Sequence, residues 1–263
     1  FEKPVVAIYG SPLIIKGGPM RHLRPSLPRI MGDMDIIIRP ETFDKAVSII
    51  SDMGYEPDDA RHSVDFHKNG SPFGILDVHR FIPIGQYEYA NMALIDQLFA
   101  RAKEETVFDT KTLVPTHEDL LFILLVNLAR NLLHLTSIYG LIYSIYDCRF
   151  LQANKPEINW DVIFKNTELT QSEALIAIAI RFMEQIIPDL FPEHILAKIQ
   201  PFDITQPLYW FCKRQLRKNR MLGKYLSTKI IYNLLKLTGS KERLEQCILD
   251  TCLALKLDTD KEA

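Results

Sequence analysis

The sequence predicts an α+β chain, with a small mixed sheet and flanking helices in residues 1–112 and a mostly helical domain in residues 113–263. Three observations carry that expectation. Apolar runs of strand length, such as Leu13-Ile14-Ile15 and Ile36-Ile37-Ile38, fall in the first part and are bounded by Gly and Pro. From Thr116 onward the apolar residues recur at helical spacing over long segments. A hydrophobic content of 47% over 263 residues supplies a core for one large domain or two modest ones.

In chain order, Val5 to Tyr9 reads as a strand. Leu13-Ile14-Ile15 reads as a short buried strand ending at Lys16-Gly17-Gly18, where glycines let the backbone turn sharply. Residues 19–24 begin a short helix. Arg24-Pro25-Ser26-Leu27-Pro28-Arg29 is a loop, since two prolines exclude regular structure. Asp33 to Ile38 is the next strand. A helix from Pro40 to about Met53 carries Phe43, Ala46, Val47, Ile49 and Ile50 as its apolar stripe and ends at Gly54. Residues 62–67 and 73–80 form a hairpin around Lys68-Asn69-Gly70-Ser71. Residues 86–105 read as a helix. Thr116 then opens a capping box with Asp119 three residues on. Helices follow at about 117–134, 137–151, 159–166, 171–187, 192–199, 206–217, 221–238 and 240–256.

The chemistry concentrates on Asp33 and Asp35. Alternate residues of a strand face the same way, so these carboxylates share one face while Met34 and Ile36 point into the protein. Like charges that close need a cation between them, and a hard divalent ion such as Mg2+ prefers oxygen ligands and leaves positions for phosphate oxygens. On the later strand, Ile75, Asp77 and His79 share a face, so Asp77 would stand beside the pair if the two strands are neighbours.

An anion-binding glycine turn, a spacer of fourteen residues and an Asp-apolar-Asp strand resemble the nucleotidyltransferase superfamily of the DNA polymerase β type. The ordered set Lys16-Gly17-Gly18, Arg29 ahead of Asp33, Gly54-Tyr55 and Leu76-Asp77-Val78-His79 narrows the resemblance to the bacterial family labelled uncharacterised nucleotidyltransferase. That resemblance implies a polymerase β-like core and transfer of an NMP from an NTP. It implies Asp33, Asp35 and Asp77 as metal-binding and catalytic residues, with Mg2+ or Mn2+ as the ion. It also implies Lys16, Gly17, Gly18, Arg29 and His79 around the nucleotide. The acceptor stays open between a small molecule, tRNA and protein. A toxin-like transferase and a catalytically silent nucleotide-binding module stand as alternatives.

The remaining features bound the function. A formal net charge of −2 argues against a globally basic nucleic-acid binder. Between Asp203 and Glu242, however, nine Lys and Arg residues occur without an acidic one, and Tyr209, Trp210, Phe211 and Tyr225 interleave with them, a combination suited to phosphate contact and base stacking or to a solvated helix face. Four scattered cysteines point to a reducing cytoplasm rather than a disulfide scaffold. The chain starts at Phe1, which reads as a piece of a longer chain. No run of 18 uncharged apolar residues exists, so a membrane span is not expected. His62 and His67 cannot share a face at odd spacing, which weakens a zinc site built on them. Asn127, Arg130, Asn131 and His134 fall at spacings of three and four and form one polar helix face.

Overall fold

Strand β2 (Asp33–Ile37) is the central strand of a seven-stranded mixed sheet ordered β3-β4-β5-β2-β1-β7-β6. The computed structural model describes residues 12–23, 33–59, 63–69, 75–82, 84, 92–107, 110–134, 138–154 and 157–204. Alternation decides how β2 is turned. Met34 and Ile36 join Ile14, Val64, Phe66, Leu76 and Val78 in one buried apolar layer, and helix α2 (Pro40–Asp52) adds Phe43, Ala46 and Ile50 to it. Each such side chain withdrawn from water contributes roughly 1.5–3 kcal/mol, so slipping β2 by one residue is prohibitive. Asp33 and Asp35 are thereby turned to the opposite face.

The neighbours of β2 are set by register. On one side β5 (Ile75–His79) runs parallel, pairing Asp35 with Asp77 and Ile37 with His79. Beyond it, β4 (Ser63–His67) pairs antiparallel to β5, with Asp65 opposite Asp77 and Ser63 opposite His79. On the other side β1 (Leu13–Ile14) runs antiparallel to β2 and parallel to β7 (Thr110–Val114), which closes a hairpin with β6 (Lys103–Val107).

Most expected elements are found at their places: β1, β2, α2, the β4–β5 hairpin, and the helices α4 (His117–His134), α5 (Ile138–Asn154), α6 (Trp160–Thr170), α7 (Glu173–Ile186) and α8 (Glu193–Ile199). Two differ. The helix expected over 86–105 ends at Arg101 as α3 (Met92–Arg101), and the chain turns at once into β6. Lys103-Glu104-Glu105 has helical composition, but as a largely exposed edge strand it shows little apolar alternation. The second difference is β3 (Glu56–Asp59), an additional edge strand exposed along its whole length. Its Pro57 and acidic residues suit an edge that must not recruit further strands.

The chain forms two compact units. Of the described residues, those up to 124 and from 150 to 171 make one unit, which contains the whole sheet; those from 125 to 149 and from 172 to 204 make the other. In the second unit α7 is buried along Leu175–Ile180 and again at Met183. No described helix is long and apolar enough to cross a membrane. The strand expected over Val5–Tyr9, the loop 24–29 and the helices expected after residue 205 lie outside the described residues.

Candidate functional site

The face of the sheet opposite the apolar layer carries a row of carboxylates across three adjacent strands: Asp65 on β4, Asp77 on β5 and Asp35 on β2. Asp33 lies two residues before Asp35 and is exposed, whereas Asp35 is only 4% exposed. Beneath the row sits His79, 1% exposed, with Nε2 3.0 Å from Asp35 Oδ1 and 3.0 Å from Asp77 Oδ2. Both partners are acceptors, so Nε2 carries the proton and donates to the two carboxylates. The second donor is Lys16, whose ammonium Nζ donates to Asp35 Oδ1.

The turn at β1 places Lys16. Its φ of +54° is the left-handed conformation, while Gly17 and Gly18 begin helix α1 (Gly17–Leu23). The expectation that the glycines make the sharp turn is therefore revised: the lysine before them does. Gly18 answers a different need, because a Cβ there would lie 2.3 Å from Ile14 Cγ2. Only a residue without a side chain lets α1 approach β1 so closely.

The electrostatics follow from these distances. Burial pushes the Asp35 carboxyl up, but Lys16 and His79 outweigh it and hold Asp35 below the usual carboxylate range. Asp77 is likewise raised by burial and lowered further by the hydrogen bond and charge of His79, ending well below that range. His79 is lowered by burial and by Lys16, yet its bonds to Asp35 and Asp77 leave it above the usual histidine value. Burial also lowers Lys16, and the charge of Asp35, Asp77 and Asp33 more than restores it. Asp33 and Asp65 are pushed up, by burial first and then by Asp35 and Asp77 respectively. Four carboxylates thus share the Lys16 ammonium and the Nε2–H of His79, and the two outer carboxylates are the ones pushed up.

That shortage of positive charge suits a further cation. Ligand atoms from Asp35, Asp77 and His79 lie within 4.8 Å of one another. Asp77 Oδ1 is buried with no hydrogen-bond partner among the described residues. A buried carboxylate oxygen without a donor is costly unless something positive approaches it. Asp35 and Asp77 could hold a divalent metal ion, and their oxygen donors suit a hard one, while His79, donating from Nε2 to both, fixes their spacing.

Of the residues picked out in the sequence, Lys16, Asp33, Asp35, Asp77 and His79 are brought to one site, and Gly17 and Gly18 follow Lys16 directly. Arg29, His62 and the basic stretch 213–229 lie outside the described residues. Asp65 was not singled out. Its signal was the alternation Ser63-Val64-Asp65-Phe66, which places the aspartate on the same face as Asp77 only once the register of the hairpin is known. In the second unit, the polar face of α4 has a local use, with Asn127 and Asn131 each donating from Nδ2 to Ser144 Oγ of α5 at 3.1 Å.

Residues 11–188 match the model of a family described as uncharacterised nucleotidyltransferase, which supports nucleotidyl transfer as the general chemistry and a nucleotide as substrate. No curated protein and no solved structure matches the chain.

Proposed function

This chain belongs to the uncharacterised nucleotidyltransferase family, and on that premise we propose that it moves an NMP from an NTP to a hydroxyl or phosphate acceptor in the cytoplasm, with Mg2+ or Mn2+ held by Asp33, Asp35 and Asp77. The observation that supports this reading is the convergence of Asp35, Asp77, His79 and Lys16 on one face of β2 and β5. A divalent ion bound there supplies charge neutralisation for the triphosphate and the departing pyrophosphate.

The chain's own residues do the rest. Asp35, almost fully buried and held ionised, presents a fixed carboxylate to the ion, and the exposed Asp33 presents one toward solvent, on the side from which a nucleotide arrives. Asp77 stays ionised, so it would help hold the ion that lowers the pKa of the acceptor hydroxyl. His79 is too buried to touch a nucleotide directly, so it acts by fixing the spacing of Asp35 and Asp77. Lys16 and the backbone N–H groups of Gly17 and Gly18, which open the helix, are suited to the β- and γ-phosphates.

The test is the fate of two labels. Each NTP, labelled on either the α- or the γ-phosphate, is incubated with the protein, Mg2+ and a bacterial extract. The α-label should enter an acceptor and the γ-label should leave as pyrophosphate, both dependent on Asp35. Incorporation of the γ-label would make the chain a phosphotransferase instead.

A further inference from the structure

We propose that Lys16 is a resident counter-ion of Asp35 which a divalent metal ion must displace, so that the site alternates between an ammonium-filled and a metal-filled state. This rests on the metal-binding reading of Asp35 and Asp77 given above and adds a step to it.

Asp35 Oδ1 already accepts from both Lys16 Nζ and His79 Nε2. It is therefore the oxygen turned toward His79 and Asp77, the same group whose ligand atoms cluster within 4.8 Å. An ion coordinated there would sit about 2.0–2.6 Å from that oxygen. An ammonium at hydrogen-bond distance from the same oxygen would then be within a few ångströms of a divalent charge, in a site where Asp35 is almost fully withdrawn from water. The two cations exclude each other at Oδ1.

Lys16 is built to leave. Its side chain is 21% exposed where that of Asp35 is 5% exposed, so the flexible stem has a route out that the carboxylate lacks. Asp33, also within its field, lies on the solvent side of the same strand and offers a second resting place. The backbone at Lys16 is in the left-handed region, which a lysine adopts at a cost. The ion pair helps hold that turn before metal arrives. Once displaced, the ammonium remains tethered next to Gly17 and Gly18, where it can meet the incoming triphosphate. Metal entry and phosphate capture would thus be coupled through one side chain.

The experiment measures Mn2+ binding without nucleotide, by electron paramagnetic resonance of the free ion, in wild type, K16M, K16R and D35N. Melting temperatures are recorded in parallel with chelator and with saturating Mn2+. Removing the resident charge should tighten Mn2+ binding about tenfold or more in K16M and leave K16R near wild type, the effect a tenfold competitor imposes. The chelated K16M protein should melt about 5 °C lower than wild type, and Mn2+ should recover most of that difference. Should K16M not fold, K16Q carries the same comparison. Wild-type or weaker Mn2+ affinity in the charge-removed variant, with wild type binding through Asp35, overturns the displacement and leaves the metal site standing. Mn2+ binding that survives in D35N, or absence of binding in every protein, overturns the metal-binding reading and the displacement with it.

Discussion

Two buried carboxylate clusters in the same compact unit behave in opposite ways. Around Asp119, fully buried at the start of α4, every oxygen is spoken for. Oδ1 accepts from Arg101 Nη2 at 2.7 Å and Asn166 Nδ2 at 2.9 Å, and Oδ2 accepts from Arg101 Nε at 2.9 Å and Thr116 Oγ1 at 3.0 Å. One negative charge meets one forked positive charge, and amide and hydroxyl donors complete the shell. On the face of β2, β4 and β5, four carboxylates share Lys16 and His79, and Asp77 Oδ1 has no donor among the described residues. The first cluster is closed and ties α3, α4 and α6 together. The second is short of cations, which is the condition of a site that awaits one. Burial of charge alone does not distinguish structure from function; the balance of the shell does.

Substitutions should separate the two clusters. The largest effect is expected for Asp35→Asn and Asp77→Asn, each lowering nucleotidyl transfer about a thousandfold or more, about 4 kcal/mol in barrier. Some stability should go with the activity, because the lowered carboxyls of Asp35 and Asp77 show that their charged forms are held favourably by Lys16 and His79; circular dichroism melts alongside the assay fix a temperature at which each variant is still folded. Asp119→Ala should do the reverse. Stranding Arg101, itself partly exposed, is expected to cost about 3 kcal/mol of stability in denaturant titration, with transfer per folded molecule unchanged. Gly18→Ala should cost about 1–3 kcal/mol, since the new methyl meets Ile14 and α1 must move off β1. If urea melts show no loss, the close approach of α1 is not what requires glycine.

The pH dependence of the metal-free protein sharpens the comparison further. His79 lies above its ordinary value in the fold, so its contribution is complete below about pH 6.5 and is lost as pH rises through the folded value. Asp35 and Asp77 lie below theirs, so their contribution is present above about pH 4 and is lost as pH falls through the folded values. Melting temperature in chelator should therefore plateau in the mildly acidic range and decline on the alkaline side. In His79→Gln the alkaline decline should flatten. An unchanged slope in that variant would assign the decline to another group.

How much of this could be read from the sequence depended on whether the signal was local. Strand β2 and helix α2 were legible because apolar periodicity is a property of neighbouring residues, and the shared face of Asp33 and Asp35 follows from the same alternation. Thr116 and Asp119 were legible as a cap for the same reason, and Asp119 N does lie 3.3 Å from Thr116 Oγ1. Arg101 and Asn166, which complete that cluster from far along the chain, were not. The pairing of Asp35 with Asp77 was conditional on β2 and β5 being neighbours, a matter of topology rather than pattern. Asp65 escaped notice since its neighbour is fixed by hairpin register. β3 and β6 were missed because exposed edge strands carry little apolar alternation, and β7 because one of its buried residues is Thr112, which reads as polar. The direction of the Lys16 side chain depends on a left-handed turn that nothing in Lys-Gly-Gly assigns to the lysine rather than to a glycine.

The cation-poor cluster is proposed to bind a nucleotide through a metal ion. The most direct test is calorimetric titration of ATP, GTP, CTP and UTP, each with and without Mg2+, into wild type and the Asp33→Asn/Asp35→Asn double variant. The account predicts binding of at least one nucleotide that requires Mg2+ and disappears in the double variant. Absence of binding for all four, or binding indifferent to both the metal and the two aspartates, would contradict it.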